Sequence, residues 1–338
     1  MEAAVAPPIL EKAAAMCEGE LRAAVGRLGS ELSRPAFYHF GWTDAGGVPQ
    51  SANGGKGVRS ALALLSATAA GAAAETGVPG AVAVELVHNF SLIHDDIIDG
   101  DSRRRHRPTV WAVWGVGQAV IVGDALASLA QQVLLDSQVP NRCAAASRLA
   151  RATSSMIVGQ ANDMAGEGLA EISVAACEEM ERGKTGALLG AAASIGAELA
   201  GATAEQLSAL EEFGVELGLA FQATDDVLGI WGDPSRTGKP AWSDLRQCKA
   251  SLPVAAAMAA GGHHAEELRH LLGQRPCPED GLARAALVVE QAGGRAYCEE
   301  AARLHKQSAL QALESAPLAA PSRRQLADMA EFVVQRAF

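Results

Sequence analysis

Two pairs of adjacent aspartates carry the first chemical hint. Asp95-Asp96, with Asp99 close behind, and Asp225-Asp226 each end an apolar stretch, and cationic residues follow each pair. On a helix Asp95 and Asp99 share a face one turn apart, with His88 two turns back on nearly the same stripe. Like charges so placed repel by roughly 0.2–0.5 kcal/mol, and Asp96 between them adds to the cost. Acids at the C-terminal end of a helix also oppose its dipole. Folding stability therefore does not select them, whereas a bound cation would relieve them. Carboxylate oxygens with no nearby cysteine suit a hard ion, magnesium in particular. The plain alternative is a solvated acidic helix end, but Ile93, Ile97 and Ile98 surround these acids with apolar neighbours.

Four arginines follow at once, in Asp101-Ser102-Arg103-Arg104-Arg105-His106-Arg107-Pro108. They could simply neutralise the aspartates, but guanidinium groups also clamp phosphate oxygens bidentately. Acids for metal beside arginines for phosphate suggest a diphosphate–metal site. The segment Phe221-Gln222-Ala223-Thr224-Asp225-Asp226-Val227-Leu228-Gly229 repeats the theme, and the loop behind it ends in Lys239. Helix bundles build metal sites from carboxylates that project inward from facing helices.

The elements that must position these residues read as helices. Hydrophobic residues make up 49% of the 338 positions and aromatics 4%. Alanine is conspicuous, which favours closely packed helices over sheet. Helical patterns cover 9–34, 58–74, 81–99, 109–135, 143–165, 171–199 and 204–230, then 250–259, 264–273, 281–292, 295–314 and 321–337. A Gly-rich loop at 37–57 and breaks at Pro234, Gly238 and Pro240 separate some of them. No segment of useful length alternates with period two. The chain reads as a single all-α domain over 1–338, with no linker or internal repeat. The net charge of −11 argues against nucleic-acid binding. Six scattered cysteines without a metal-ligand spacing fit a reducing compartment, so the cytoplasm is expected. No signal peptide and no membrane span are read.

These motifs, from about Gly54 to the last helix, resemble in type and order the trans-prenyltransferases, the family of farnesyl and geranylgeranyl diphosphate synthases. Asp95-Asp96-Ile97-Ile98-Asp99 resembles the first aspartate-rich motif, and Arg104-Arg105 the arginine pair behind it. Gly55-Lys56-Gly57-Val58-Arg59 is similar to the glycine-lysine-arginine motif. Gly159-Gln160 with Asp163 resembles a mid-chain element, Lys184-Thr185 a lysine-threonine pair, and Phe221-Gln222 with Asp225-Asp226 the second acidic motif. Lys239 and Lys249 match two later lysines. Four positions depart from the pattern: Gly229 where a third Asp is frequent, Gly57, Ser60 where Pro is common, and His106 where Gly is usual.

The resemblance implies an isoprenoid-synthase-type bundle around a central cavity, paired as a homodimer. Asp95, Asp99 and Asp225 would hold magnesium, three ions together with diphosphate. Arg104, Lys184, Thr185, Phe221, Gln222, Lys239 and Lys249 would bind the allylic diphosphate, whether dimethylallyl, geranyl or farnesyl. Lys56, Arg59, His88 and Arg105 would bind isopentenyl diphosphate, whose double bond attacks the allylic cation; the released diphosphate would take the proton. A class I terpene cyclase shares the metal chemistry but has no use for the second phosphate site. A non-catalytic partner subunit would show a degraded first motif. Residues ahead of the first motif limit product length in the family. Phe90, followed by Ser91, implies a twenty-carbon product, with fifteen carbons as the alternative.

Overall fold

The computed structural model describes residues 7–50, 57–166, 173–233, 241–249, 251–273 and 277–334. Among these the chain is almost wholly helical. The helices are α1 (Pro8–Gly26), α2 (Ser30–His39), α3 (Val58–Ala69), α4 (Val78–Ile98), α5 (Val110–Trp114), α6 (Val116–Asp136), α7 (Arg142–Gly166) and α8 (Val174–Glu181). A π-helical turn, Arg182–Gly186, leads into α9 (Ala187–Ala200) and the long α10 (Ala204–Trp231). Then come α11 (Ser243–Arg246), α12 (Leu252–Ala259), α13 (Gly262–Leu272), α14 (Glu279–Gln291), α15 (Gly294–Glu314) and α16 (Ala320–Val334). The only strands described form a short antiparallel ribbon, β1 (Arg103–Arg104) with β2 (Arg107–Pro108).

The expected all-α bundle is therefore present, and its differences from the sequence reading are local. The helix read over 9–34 breaks after Gly26 and restarts beyond Gly29, whose φ of +74° stops the first run. The helix read over 109–135 breaks at Gly115, where φ is +86°. The stretch 171–199 contains the π-helical turn. Val78-Pro79-Gly80, ahead of the helical pattern read over 81–99, open α4, with proline in the first helical turn, where its missing N–H costs nothing.

The main core lies where α3, α4, α6, α9 and α10 pack together, with Leu62, Leu86, Ile93, Leu126, Ile195 and Phe213 among its fully buried side chains. Small residues set the spacing. A Cβ on Gly196 of α9 would stand 2.7 Å from Ser66 Oγ and 2.9 Å from Ala67 N of α3, so the two backbones approach closer than any side chain would permit. This is the physical use of the alanine- and glycine-rich composition. Arg148 of α7, nearly buried, pairs with Glu198 of α9 at 2.8 Å and Glu211 of α10 at 2.5 Å, and so ties three helices at one point. Thr203 and Gln206 form a capping box that starts α10. Thus α4 and α10, which end in the two acidic clusters, are both fixed in the centre of the bundle.

Candidate active site

Each acidic pair splits between the cleft and the core. Asp95 and Asp99 lie one turn apart at the C-terminal end of α4, partly exposed. Asp96 instead turns inward, 1% exposed, and accepts a 2.7 Å hydrogen bond from Arg104 Nε. The sequence reading counted Asp96 in the repulsive cluster; the structure puts it in an ion pair. Burial raises the Asp96 pKa to about 6 despite Arg104, and its Oδ2 is buried without a partner. Burial also raises the Asp95 pKa, with Asp99 adding to it and Lys184 and Arg104 opposing. On α10 Asp225 is exposed, whereas Asp226 is 5% exposed. Burial, and then Asp244, push the Asp226 pKa up to about 7. Burial and Asp226 likewise raise that of Glu181.

A relay of hydrogen bonds holds the second acidic face. Thr185 Oγ1 donates to Gln222 Oε1 at 2.9 Å, Gln222 Nε2 donates to Asp226 Oδ1 at 2.9 Å, and Leu252 N donates to Asp226 Oδ2 at 2.8 Å. Lys184 sits in the π-helical turn, a feature that often marks functional sites. The turn rests directly on α7: a Cβ on Gly159 would meet Gly183 C and Lys184 Cα at 2.8 Å. That approach brings Lys184 Nζ to 2.5 Å from Asp163 Oδ2. Lys249 Nζ reaches Asp99 Oδ2 at 3.4 Å. Burial opposes the Lys249 charge, but Asp99, Asp244 and Asp163 outweigh it and raise its pKa. Lys184, Asp225, Asp226, Asp244 and Lys249 line one cavity of about 90 Å³. Phe221 packs against the main core beside Gln222.

Gly229, where the resemblance leads one to look for a third Asp, is explained by a residue the sequence reading missed. A Cβ there would overlap the Asp244 carboxylate and stand 2.8 Å from its Oδ1. Ser243 Oγ donates to Gly229 O at 3.1 Å and pins α11 in that place. The second acidic face therefore receives its further carboxylate from α11. Asp163 and Glu181 are the other acids of this face to which no role was given.

A second cationic cluster lies further back along α4, around His88, two turns before Asp95 on nearly the same stripe. Arg59 from the first turn of α3 and Arg105 from the ribbon come close enough to His88 of α4 to depress its protonation. Burial holds the His88 pKa well below the ordinary imidazole range, with Arg59 and Arg105 adding to the effect. Burial also lowers the Arg59 pKa, partly offset by Glu85. Among the described residues neither Arg59 nor Arg105 makes a hydrogen bond or ion pair, and Arg59 Nε is buried without a partner. Arg105 and His106 form the two-residue turn of the ribbon, with φ of +50° and +64°. Such turns need φ > 0 at both positions and favour Asn-Gly, so His106 holds a strained conformation that glycine would accept freely. Lys56 and Lys239 lie outside the described residues.

Phe90 is 8% exposed and meets the His94 ring edge-on, with centroids 5.0 Å apart. His94 in turn contacts Val120 O of α6 at 3.1 Å. Ser91, four residues before Asp95, lies directly beneath it on the helix face and donates to His88 O at 2.8 Å.

The donors suit a hard cation that arrives with its ligand. Among the described residues no three of His, Cys, Asp and Glu close into a cage. Magnesium does not require one, because it keeps several waters and takes one or two carboxylates plus substrate phosphates. All candidate protein donors are carboxylate oxygens, and two lysines stand as counter-cations beside them.

The helical bundle and its paired acidic and basic clusters define a class of all-α, diphosphate-handling enzymes. The polyprenyl synthetase family profile matches residues 49–288. The (2E,6E)-farnesyl diphosphate synthase of Mycobacterium tuberculosis is 43% identical over 333 residues, which is 97% of this chain and 93% of that protein. The geranylgeranyl diphosphate synthase of the same organism is 42% identical over 313 residues, 91% of this chain and 89% of the relative. A polyprenyl synthetase crystal structure from Streptomyces coelicolor superposes with a TM-score of 0.93 at 50% identity, covering 98% of this chain and all of that one. A polyprenyl synthase from Caulobacter crescentus, complexed with calcium and isoprenyl diphosphate, superposes with a TM-score of 0.85 at 29% identity, covering 100% of both chains. The chain belongs to the polyprenyl synthetase family. It is a trans-prenyltransferase that elongates prenyl chains, in a family that works with divalent metal.

Proposed function

We propose that this enzyme condenses isopentenyl diphosphate with a dimethylallyl, geranyl or farnesyl diphosphate primer and releases geranylgeranyl diphosphate. Farnesyl diphosphate is the second reading, favoured by the relative of that name. The observation that carries the two-substrate reading is the pair of cationic clusters: Lys184 and Lys249 paired with Asp163 and Asp99, and Arg59 and Arg105 around His88, two turns back along α4. A cyclase would need only the first.

Asp95, Asp99 and Asp225 would hold magnesium, three ions with the diphosphate, which would supply Lewis-acid neutralisation of the leaving group. Lys184 and Lys249 exchange carboxylate partners for phosphate oxygens as the allylic substrate settles, with Lys239 joining them. Arg104 engages Asp96 through Nε alone, which leaves its terminal amines for the same diphosphate. Gln222, oriented by Thr185 and flanked by Phe221, stabilises the growing charge. Lys56, Arg59, His88 and Arg105 hold isopentenyl diphosphate with its double bond towards the cation, and the departed diphosphate accepts the proton. Apolar helix faces exclude water. Phe90 and Ser91 set how far the product extends.

The reading includes one polyprenyl synthetase domain over 1–338, acting in the cytoplasm as a homodimer. One described helix, Val116–Asp136, is long and apolar enough to cross a membrane, and 39% of that window is buried. Its outer face, with Val116, Val120 and Ile121, continues onto α7 with Ile157, Val158 and Met164; all six are exposed. A second copy covering this apolar surface accounts for it without a membrane. Incubating purified protein with isopentenyl diphosphate, magnesium and each primer in turn, then sizing the products, tests the assignment. A dominant twenty-carbon product supports it; a fifteen-carbon end product selects the second reading; no elongation of any primer would sink both.

A further inference from the structure

We infer that His39 is a further contact for the diphosphate of isopentenyl diphosphate, an inference that rests on the assignment of Arg59, His88 and Arg105 to that substrate. His39 is the last residue of α2, an element that carries none of the motifs named above. Three contacts fasten the end of α2 to the basic ribbon. Tyr38 Oη donates to Pro108 O at 2.8 Å, the Arg107 guanidinium lies 4.2 Å over the Tyr38 ring, and Arg107 Nη2 donates to Thr43 O at 2.8 Å. The His39 imidazole is thereby set against the Asn89 side-chain amide, within the fields of Arg104, Arg105 and Arg107 and of His88.

The partners of these cations decide what the cluster is for. Arg104 is committed in part to Asp96, and Arg107 to Thr43 and Tyr38. Arg59 has the field of Glu85 against it, and Arg105 those of Glu85 and of Asp96, which Arg104 already engages. Two guanidiniums without a hydrogen-bonded acid and two imidazoles, set against Glu85 and an Asp96 already engaged by Arg104, leave an excess of donors, which a diphosphate with several acceptor oxygens satisfies. Burial, and then Arg104 and Arg105, hold the His39 pKa at about 3, while Asn89 opposes them. The ring is then neutral at pH 7. An entering diphosphate offsets the field of those arginines and so raises the His39 pKa, which favours proton uptake on binding although burial still opposes it.

The test uses the full-length enzyme and isopentenyl diphosphate itself, titrated calorimetrically in two buffers of different ionisation enthalpy, with KM measured for both substrates. His39→Ala is expected to weaken isopentenyl diphosphate binding ~10-fold or more, in keeping with loss of a charge-assisted hydrogen bond. The allylic KM should stay within about twofold, and proton uptake per molecule bound should fall. His39→Gln should bind more tightly than His39→Ala yet lack the proton uptake, and it serves alone if the alanine variant does not fold. Unchanged affinity in the His39 variants while Arg59→Ala loses it would overturn the inference and leave the substrate assignment standing. Equal weakening of both substrates would also overturn it, because it would mark a structural role. If Arg59→Ala left isopentenyl diphosphate binding intact as well, the assignment itself would fall and take the inference with it.

Discussion

Restoring an aspartate at position 229, where the family often has one, should damage this enzyme. The Gly229 Cα faces the Asp244 carboxylate, and a Cβ there would overlap that group and stand 2.8 Å from Oδ1, against an ordinary contact of 3.4 Å or more. Asp244 has little room to retreat. It is 9% exposed, its neighbour Ser243 is bonded to Gly229 O, and its own carbonyl accepts from Lys249 N at 2.9 Å. Overpacking of this kind costs about 1–3 kcal/mol before any charge repulsion is added. At ~2 °C per kcal/mol for a chain this large, the apparent Tm should fall by roughly 2–6 °C. Displacing Asp244 also draws Lys249 from its place, so turnover should fall as well. Thermal unfolding and initial-rate assays on Gly229→Asp, Gly229→Ala and the Gly229→Asp/Asp244→Gly exchange measure both effects. The exchange should recover part of the stability, since neighbours in contact are not additive. A Gly229→Asp protein as stable and active as the parent would refute the claim that α11 supplies this carboxylate.

Arg59→Ala should raise the KM for isopentenyl diphosphate far more than that for the primer, and Lys184→Ala should do the reverse; equal effects in a two-substrate titration would dissolve the partition. Phe90→Ala leaves space of the order of a few methylenes beside His94. Product sizing should therefore shift towards twenty-five carbons or more, and an unchanged distribution would remove Phe90 from the length assignment. Light scattering at micromolar concentration should give the mass of a dimer, and a monomer there would leave the apolar face of α6 and α7 without its proposed cover.

The bundle was legible because apolar positions recur at helical spacing over long runs and because the alanine-rich composition excludes a β-rich core. The acidic clusters were legible because Asp95 with Asp99, and Asp225 beside Gln222, fall at fixed helical offsets. Which member of each pair faces outward was not legible. Asp96 and Asp226 turn inward because Arg104, in one case, and Gln222 with Leu252 N, in the other, meet them there. Those partners come from other turns and elements. The breaks at Gly29 and Gly115 depended on backbone angles that a glycine permits without requiring. Asp244 and His39 escaped for one reason: each joins the site from a different element, through a notch at Gly229 or a clasp between Tyr38 and Arg107, and neither lies at a periodic offset from a motif.

The central claim is that Asp95 and Asp99 act through bound metal on the allylic diphosphate, and that Asp95 is not there for stability. Turnover of Asp95→Ala at saturating substrates and magnesium, measured together with its thermal unfolding, tests it most directly. The account predicts a loss of at least ~10²-fold, since charge stabilisation worth several kcal/mol is removed. It also predicts an apparent Tm equal to or above the parent's, because like charges on one helix face are relieved. A folded Asp95→Ala enzyme that elongates its primer at a near-parental rate would contradict it.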